Sequence, residues 1–401
     1  MDSATARTGT AGEVFVAFLK LGLTSFGGPI AHLGYFRDEI VTRRRWLGEA
    51  EYADLVALCQ FLPGPASSQV GFALGLLRAG PLGALAAWAG FTLPSAILLV
   101  AFALGAAALD GALARGVLHG LKLVAVAVVA QAVWGMARSL TPDRQRAAIA
   151  VAAVAVTIML AGSMGQVAAL LLGGLAGLAF CRDGGPVALA GTRFPVSRTA
   201  GVASLVIFAV LLLGLPVVAA AVDRHGLDLF DAFYRAGALV FGGGHVVLPL
   251  LDAETVVSGW VSKDAFLAGY GAAQAVPGPL FTFAAYLGAA GSLAPNSVLG
   301  AAIALVAIFL PGLLLLVGAL PFWDALRSRS MAQAGMRGAN AAVVGILGAA
   351  LYDPVWTSAV LGPVDFVLAL AGIVALVAWR APPWLVVLAL AVAGGVTGGL
   401  G

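Results

Sequence analysis

The chain has 401 residues, of which 61% are hydrophobic and only 10% are charged. A soluble domain is about half apolar and about one quarter charged, so this chain has too few polar residues to cover a surface that faces water. The mean hydropathy of +1.01 and the small net charge of +3 therefore indicate a membrane protein and exclude a basic nucleic-acid-binding domain. Cys59 and Cys181 are too few for a disulfide framework and too far apart for a zinc motif.

Long apolar runs predict helices along the whole chain, because about 20 apolar residues cross a bilayer as a helix. Residues 1–13 are polar and show no cleavable signal, so the first run is expected to stay in the mature protein. We predict an all-α polytopic membrane protein with six runs before a polar linker, one after the linker and six more. In chain order the runs are Val14–Leu33, Leu55–Leu77, Leu82–Leu109, Val117–Ala137, Ala147–Ala161, Val167–Phe180, Val202–Val222, Phe230–Leu250, Phe266–Ala290, Val298–Leu320, Ala339–Tyr352, Phe366–Trp379 and Leu385–Val396.

Two copies of one sequence pattern divide the chain. Phe-Gly-Gly at residues 26–28 returns at residues 241–243, an offset of 215, and Pro-Gly-Pro at residues 63–65 returns at residues 277–279, an offset of 214. An internal repeat of this kind is common among transporters. We expect a first repeat at residues 1–181, a linker with one extra helix at residues 182–228, and a second repeat at residues 229–401.

The two repeats are expected to have opposite orientations in the membrane. Each contains six runs and one extra run lies between them, so the second copy enters the bilayer from the other side, as in the inverted repeats of secondary transporters. The positive-inside rule favours a version in which the Gly/Pro-broken runs are re-entrant hairpins. Sixteen Lys and Arg then lie on the N-terminal side and three on the other, instead of thirteen and six. Both versions place the N-terminus in the cytoplasm and the C-terminus outside.

The breaks in four apolar runs form the candidate substrate site. Pro removes an N–H donor and Gly accepts positive φ, so each break ends one helix and starts another. A new helix N-terminus attracts an anion, and non-helical backbone at membrane depth must be buried or face a watery cavity. The alternative is that Gly and Pro only kink helices or let them pack closely. The candidate binding residues in and beside the breaks are Ser25, Gly27, Gly28, Gln60, Gly64, Ser67, Gly242, Gly243, His245, Gln274, Gly278 and Thr282.

Three basic residues lie inside apolar runs, where a charge costs at least about 2.5–3.5 kcal/mol. Lys20 and Arg235 occupy equivalent positions before the two glycine breaks, and Lys122 lies early in its run. We expect these side chains to bind substrate. The alternatives are snorkelling to the membrane surface and, for Arg235, pairing with Asp231 four residues earlier. Because the charge within the runs is basic and acidic residues fall mostly in loops, the expected cargo is an anion.

Several activities are not expected because their motifs are missing. The sequence has no Walker loop for ATP, no His-Glu-x-x-His motif and no two histidines at helical spacing. We therefore expect no cofactor, no bound metal and no enzymatic activity.

The motifs together resemble those of the chromate ion transporter family in its long two-domain form. The resemblance covers nearly the whole chain and implies a bacterial inner-membrane protein that exports chromate and confers resistance to it. It also implies a relation to sulfate, a similar tetrahedral dianion, and an electrochemical driving force rather than ATP. The second copy departs from the first at Gly244 and His245 and at Asn340, which stands where the first copy has Lys122, so the halves are expected to do unequal work. The residues that carry the resemblance are Phe18-Leu-Lys20-Leu-Gly22, Ser25-Phe26-Gly27-Gly28-Pro29, Gln60-Phe-Leu-Pro63-Gly64-Pro65 and their counterparts in the second copy.

We therefore predict a chromate efflux transporter that works by alternating access. The alternatives are a sulfate or other oxyanion transporter, an anion channel, an intramembrane chromate reductase and a purely structural partner protein. The expected partners are chromate, sulfate as an analogue, membrane lipid and a second copy of the chain in a homodimer, with no nucleic acid.

Overall fold

The computed structural model describes residues 9–106, 111–160, 162–182, 194–241, 243–323, 325 and 329–399. All regular structure in these ranges is helical, which confirms the all-α prediction. Six of the described helices are long and apolar enough to cross a membrane, as a multi-pass membrane protein requires. The first half contains α1 (Ala11–Thr24), α2 (Gly28–Phe36) with a π-helical continuation (Arg37–Arg43), α3 (Glu49–Phe61), α4 (Ala66–Ala106), α5 (Ala112–Leu140), α6 (Arg144–Met159) and α7 (Ser163–Phe180).

The second half repeats this order of elements after one additional helix, α8 (Arg198–Ala221). The bounds of α9 lie one residue from the repeat counterparts of the bounds of α1, and the π-helical segment after α10 begins at the counterpart of Arg37. The helices are α9 (His225–Ala238), α10 (Val247–Leu251) with a π-helical continuation (Asp252–Val256), α11 (Lys263–Ala273), α12 (Phe283–Ala290), α13 (Ser297–Ala319), α14 (Ser330–Ala350) with further turns to Ala359, α15 (Pro363–Val377) and α16 (Pro383–Gly399).

The first two apolar runs form two hairpins whose outer ends meet. The backbone N–H of Gly9 donates to the Arg78 carbonyl at 3.0 Å, and the Arg78 guanidinium pairs with Glu13 at 3.0 Å. The same guanidinium lies 5.2 Å from the ring centre of Trp46. The start of α1, the connection between the hairpins and the end of the second hairpin therefore converge, and we call this place the first junction.

The corresponding residues of the second half form an equivalent second junction. His225, at the start of α9, packs its ring edge-on against Trp260 with 4.7 Å between centroids. The backbone N–H of Ser292 donates to the Trp260 carbonyl at 2.9 Å. Trp260 and Ser292 are the repeat counterparts of Trp46 and Arg78, so both halves close their hairpin pairs in the same way.

α4 contains both the returning arm of the second hairpin and a membrane-length helix. Its helical backbone is interrupted at Ala79 (φ −144°) and Gly80 (φ +65°), and Pro81 opens the following stretch. Positive φ is accessible to Gly, and Pro is favoured in the first turn of a helix because its missing N–H has no helical partner there. The local sequence therefore explains why the chain turns at the first junction.

Each half completes its helix bundle with helices from the other half. α5 packs against α15 and α16, whereas its counterpart α14 packs against α6 and α7. Glycines permit these close contacts: a methyl group added to Gly120 would lie 2.2 Å from the Leu390 carbonyl oxygen, and one added to Gly338 would lie 2.1 Å from that of Gly173. Small residues at helix contacts are characteristic of packing in membranes, where apolar burial alone provides little driving force.

Candidate functional site

The candidate site lies where the four broken helices meet at their tips. The tips are residues 25–28, 62–65, 240–244 and 275–279, of which Gly242 lies outside the described residues. The backbone has positive φ at Gly27 (+96°), Gly64 (+118°), Gly243 (+149°) and Gly278 (+101°), a region that residues with a Cβ rarely enter. The Gly and Pro residues identified in the sequence therefore form the turns themselves.

Hydrogen bonds join each glycine tip to the Pro-Gly-Pro tip of the other half. The Gly64 N–H donates to the Val240 carbonyl at 2.7 Å, and the Gly278 N–H donates to the Ser25 carbonyl at 2.9 Å. Val240 is the repeat counterpart of Ser25, and Gly278 is that of Gly64, so the two bonds are equivalent. The four tips form one structure in which both halves take part equally.

Other contacts tie the tips together across the two halves. A methyl group added to Gly244 would lie 3.2 Å from the Pro29 ring, and one added to Gly28 would lie 3.9 Å from His245 Nε2. The amide of Gln69, in the first turn after the second tip, donates to the Gly312 carbonyl of α13 at 2.8 Å. These contacts hold the backbone of the tips in a fixed arrangement.

Three buried hydroxyls at or beside the tips have no hydrogen-bond partner among the described residues. They are Ser25 Oγ in the first tip, Ser68 Oγ in the first turn after the second tip, and Thr92 Oγ1 of α4. All three residues are at most 3% exposed. A buried polar group without a partner is costly, so hydroxyls of this kind point to a polar ligand or bound water.

Two helix N-termini add further donors at the tips. α2 starts at Gly28 without a side-chain cap, and α4 starts at Ala66, directly after the second tip. The first N–H groups of a helix have no partner within it and carry partial positive charge, which suits an anion. Hydroxyls and N–H groups together are suitable ligands for an oxyanion.

The remaining predicted tip residues have partners of their own. Thr282 donates to the Pro279 carbonyl at 2.7 Å, His245 Nδ1 lies 2.7 Å from the Tyr270 hydroxyl, and Ser67 Oγ lies 3.4 Å from His32 Nδ1. Gln60 is exposed, and the Gln274 amide donates to the Tyr270 carbonyl in its own helix at 3.3 Å. The structure thus brings the Ser, Thr and His residues to the tips, whereas Gln274 bonds within its own helix and Gln60 is exposed.

Lys20 lies in a basic cluster rather than among the tips. Its ammonium group pairs with Glu39 at 2.8 Å, and Arg43 and Arg44 pair with the same carboxylate at 2.8 and 2.9 Å. Three cations around one carboxylate leave a net charge of about +2 on this basic cluster. Burial alone would raise the pKa of Glu39, but the surrounding cations hold it below its ordinary value.

Arg235 lies in the equivalent position of the second half, in an acidic cluster. It pairs with Asp231 at 3.0 Å and with Glu254 at 3.0 Å, and Asp228 lines the same cavity. Glu254 is the repeat counterpart of Glu39, so one Lys/Arg–Glu pair occurs in both halves. Burial raises the pKa of Glu254 against the opposing influence of Arg235. Unlike the basic cluster, this acidic cluster has a net charge of about −2.

Lys122 is the third predicted basic residue, and it also has a carboxylate partner. Its ammonium group pairs with Asp264 of α11 at 2.9 Å, and the Asp264 side chain is 75% exposed. The structure therefore places Lys20, Lys122 and Arg235 in three separate ion pairs. Sequence reasoning missed Glu39 and Glu254, although their equivalent places in the two repeats were a signal that would have identified them.

The comparisons with known proteins agree with these features. Membrane-length helices and paired broken helices define a multi-pass membrane protein. The sequence profile described as “Chromate transporter” matches residues 12–178 and 227–395. The chain therefore belongs to the chromate transporter family, a family of transporters and not of enzymes, and the resemblance inferred from the motifs is confirmed.

Individual relatives match over most of their length. The chain is 29% identical to a chromate transport protein of Pseudomonas aeruginosa over 92% of this chain and 87% of the relative. It is 30% identical to a probable chromate transport protein of Synechococcus elongatus over 83% and 82%, and 27% identical to a chromate transport protein of Cupriavidus metallidurans over 86% and 83%. No solved structure is significantly similar to the chain. Membership of this family therefore supports chromate as the substrate.

Proposed function

We propose that the protein exports chromate across the bacterial inner membrane by alternating access and so confers resistance to chromate. The convergence of four tips with buried, unpartnered hydroxyls is the observation that carries this proposal. A tetrahedral dianion accepts hydrogen bonds in several directions, as these hydroxyls and helix N-termini require. Lys20 and Arg235 lie at equivalent positions before the glycine tips. During transport, each releases its carboxylate partner and binds the anion instead.

The proposal includes inverted repeats, and the course of two helices supports this arrangement. α4 leaves the first junction at Arg78, and farther along it stacks Phe102 on Tyr286 of α12, at 5.8 Å between centroids. α13 takes the reverse course: it begins beyond the second junction, and past its end Trp323 Nε1 donates to Asp54 of α3 at 3.0 Å. Each helix thus passes from its own junction to the hairpins of the other half. The repeats proposed are residues 1–181 and 229–401, with re-entrant hairpins.

Outward transport is favoured by the charge on the two sides of the protein. In the proposed topology, most Lys and Arg residues lie on the N-terminal side, which the positive-inside rule assigns to the cytoplasm. The basic cluster would attract a dianion there, and the acidic cluster would disfavour its return from outside. An inside-negative potential adds about 2.3 kcal/mol per charge per 100 mV for outward movement, so no ATP is needed.

A sulfate transporter is the second candidate, because hydroxyl and N–H donors fit any tetrahedral oxyanion. Purified protein in liposomes separates the two functions. We expect saturable flux of labelled chromate that sulfate inhibits only weakly, and faster exit of chromate when the inside is made negative. Lys20→Ala should lower the rate at least tenfold, whereas Lys263→Ala, in an exposed ion pair with Asp353, should stay within twofold of wild type.

Three results would contradict the proposal. Tighter binding and faster flux of sulfate would make this a sulfate transporter, and non-saturating flux with unitary currents would make it a channel. Absence of chromate flux from liposomes that contain folded, inserted protein would exclude chromate transport. Expression in chromate-exposed cells decides direction, since export lowers the chromate content of the cells and import raises it.

A further inference from the structure

An open cavity of 340 Å³ beside the second junction contains more negative than positive charge. Asp228, Asp231 and Glu254 line it, together with one cation, Arg235. The guanidinium donates Nε–H to Asp231 Oδ2 and an Nη–H to Glu254 Oε2, both at 3.0 Å. One guanidinium thus serves two carboxylates, and it cannot neutralise both.

Asp231 Oδ1 is the atom that this arrangement leaves without a partner. It is buried and has no hydrogen-bond donor among the described residues, and the Asp231 side chain is only 7% exposed. An ionised carboxylate with one oxygen unsatisfied in a buried place is unstable unless a proton or cation compensates it. The cavity gives water access to the cluster from one side of the protein.

The elements around Asp231 provide no second cation. α9 packs against α8, α10, α13 and the π-helical segment after α10. α10 and α13 carry no titratable residue, and the single one on α8, Arg198, is at the opposite end of that helix from α9. The remaining titratable residues on these elements are His225, Asp228 and Tyr234 on α9, and Asp252 and Glu254 on the π-helical segment.

The first half shows that this excess of negative charge belongs to one copy only. Val16 stands where the second half has Asp231, and Arg43 stands where it has Ser258. Glu39 therefore has three cations around it, whereas the two carboxylates paired with Arg235 share that one. Of these two clusters, as far as the described residues go, only the one in the second copy has more carboxylates than cations.

We propose that Asp231, with Glu254 and Arg235, is a proton-binding site through which proton entry is coupled to chromate export. This inference rests on the proposed transport function. A proton from water outside binds Asp231 Oδ1, the neutral carboxyl loosens its hold on Arg235, and the proton is returned to water inside after the conformational change. A metal ion is a poorer ligand, because no three His, Cys, Asp or Glu side chains in the described part of the chain are arranged to hold one.

Liposomes containing a pH-sensitive dye test the coupling, with protein-free liposomes as background. In wild type, an imposed pH gradient should drive chromate against its concentration gradient, and chromate entry should move protons. Asp231→Asn should retain exchange of labelled for unlabelled chromate within threefold but lose pH-driven accumulation at least tenfold. Asp38→Asn removes an exposed carboxylate from the π-helical continuation of α2 and should retain both activities. Asp231→Glu should restore part of the coupling.

The outcomes distinguish this inference from the transport function. Wild-type exchange without proton movement, or full pH-driven accumulation by Asp231→Asn, overturns the proton site and leaves transport intact. Failure of wild type to exchange chromate at all overturns the transport function instead. If Asp231→Asn does not fold, Glu254→Gln decides, and pH-driven accumulation at the wild-type rate in that variant also overturns the proposal.

Discussion

Ser25 combines the two properties expected of an anion-binding hydroxyl. Its backbone carbonyl accepts the hydrogen bond from Gly278 and so helps to join the halves, while its Oγ is buried without a partner among the described residues. Ser95, nearby on α4, is equally buried, but its hydroxyl already donates to the Thr92 carbonyl at 3.0 Å. A comparison of substitutions at Ser25 and Ser95 therefore separates the loss of a hydroxyl that can bind a ligand from the loss of a buried serine hydroxyl in general.

Ser25→Ala should weaken chromate binding without destabilising the protein. A hydrogen bond to a charged group contributes about 1.5–3 kcal/mol, so the KM for chromate should rise roughly 10- to 100-fold. Because the variant also removes an unpartnered polar group, its melting temperature in detergent should be unchanged or higher. Ser95→Ala is the control and should alter KM less than twofold. An unchanged KM in Ser25→Ala would remove this hydroxyl from the binding site.

At the residue level, the sequence identified unusual side chains but not their partners. Lys20 and Arg235 stand out because they are charged within apolar runs. Glu39 and Glu254 look like ordinary loop carboxylates, and each reaches its partner 19 residues away only because the chain turns back at a tip. Hairpin geometry, which residue types do not reveal, determines these pairs.

At the element scale, the Pro-Gly-Pro tips depend on glycines with no room for a side chain. Gly278 has φ +101°, and a methyl group there would lie 2.7 Å from Ser95 Oγ. Gly259 has a similar backbone (φ +76°), but a methyl group there would meet nothing within 4 Å.

The apolar run Val14–Leu33, predicted as one segment, forms two helices because its glycine break lies at Gly27. The positions of these breaks were predictable from Gly and Pro, whereas their contacts with the other half were not.

Gly278→Ala should be more damaging than Gly259→Ala. Both variants carry the strain of a left-handed backbone, about 1 kcal/mol, but only Gly278→Ala also forces the tip away from α4. We expect its melting temperature to fall by several degrees more and its chromate flux to fall at least tenfold. Equal stability and flux in the two variants would show that the tip tolerates displacement.

At the scale of the whole molecule, the two halves meet at their tips, and each half has a junction of its own. Thr42, in the π-helical continuation of α2, and Val257, directly after that of α10, occupy equivalent exposed positions. In inverted repeats, these equivalent positions face opposite sides of the membrane. Repeats of the same orientation would place both on one side.

Cysteine labelling of Thr42→Cys and Val257→Cys tests this arrangement directly. An impermeant maleimide should label Thr42→Cys only from the cytoplasm and Val257→Cys only from outside. Cys59 and Cys181 are buried, so wild type provides the unlabelled control. Labelling of both positions from one side would refute the inverted arrangement, and labelling of Thr42→Cys from outside would refute the re-entrant first half.

The number of apolar runs and the repeat were evident in the sequence, but the exchange of helices between halves was not. Hydropathy shows that a helix is apolar and not which helix covers it. α5 contacts α16 through Gly116 and Gly120, whose partners Gly394 and Leu390 lie near the other end of the chain. Contacts between residues so far apart depend on shape at the helix surfaces, which a periodic pattern does not encode.

The exchanged packing of α5 has a consequence for biosynthesis. Residues 121–129 of α5 are buried, largely under α15 and α16, which are synthesised much later than α5. Until α15 and α16 are inserted into the membrane, the packing surface of α5 is covered only by lipid or by the insertion machinery. The N-terminal half thus cannot complete its packing until α16 has been made, and a chain that stops before residue 383 leaves Gly116 and Gly120 of α5 without the helix they contact.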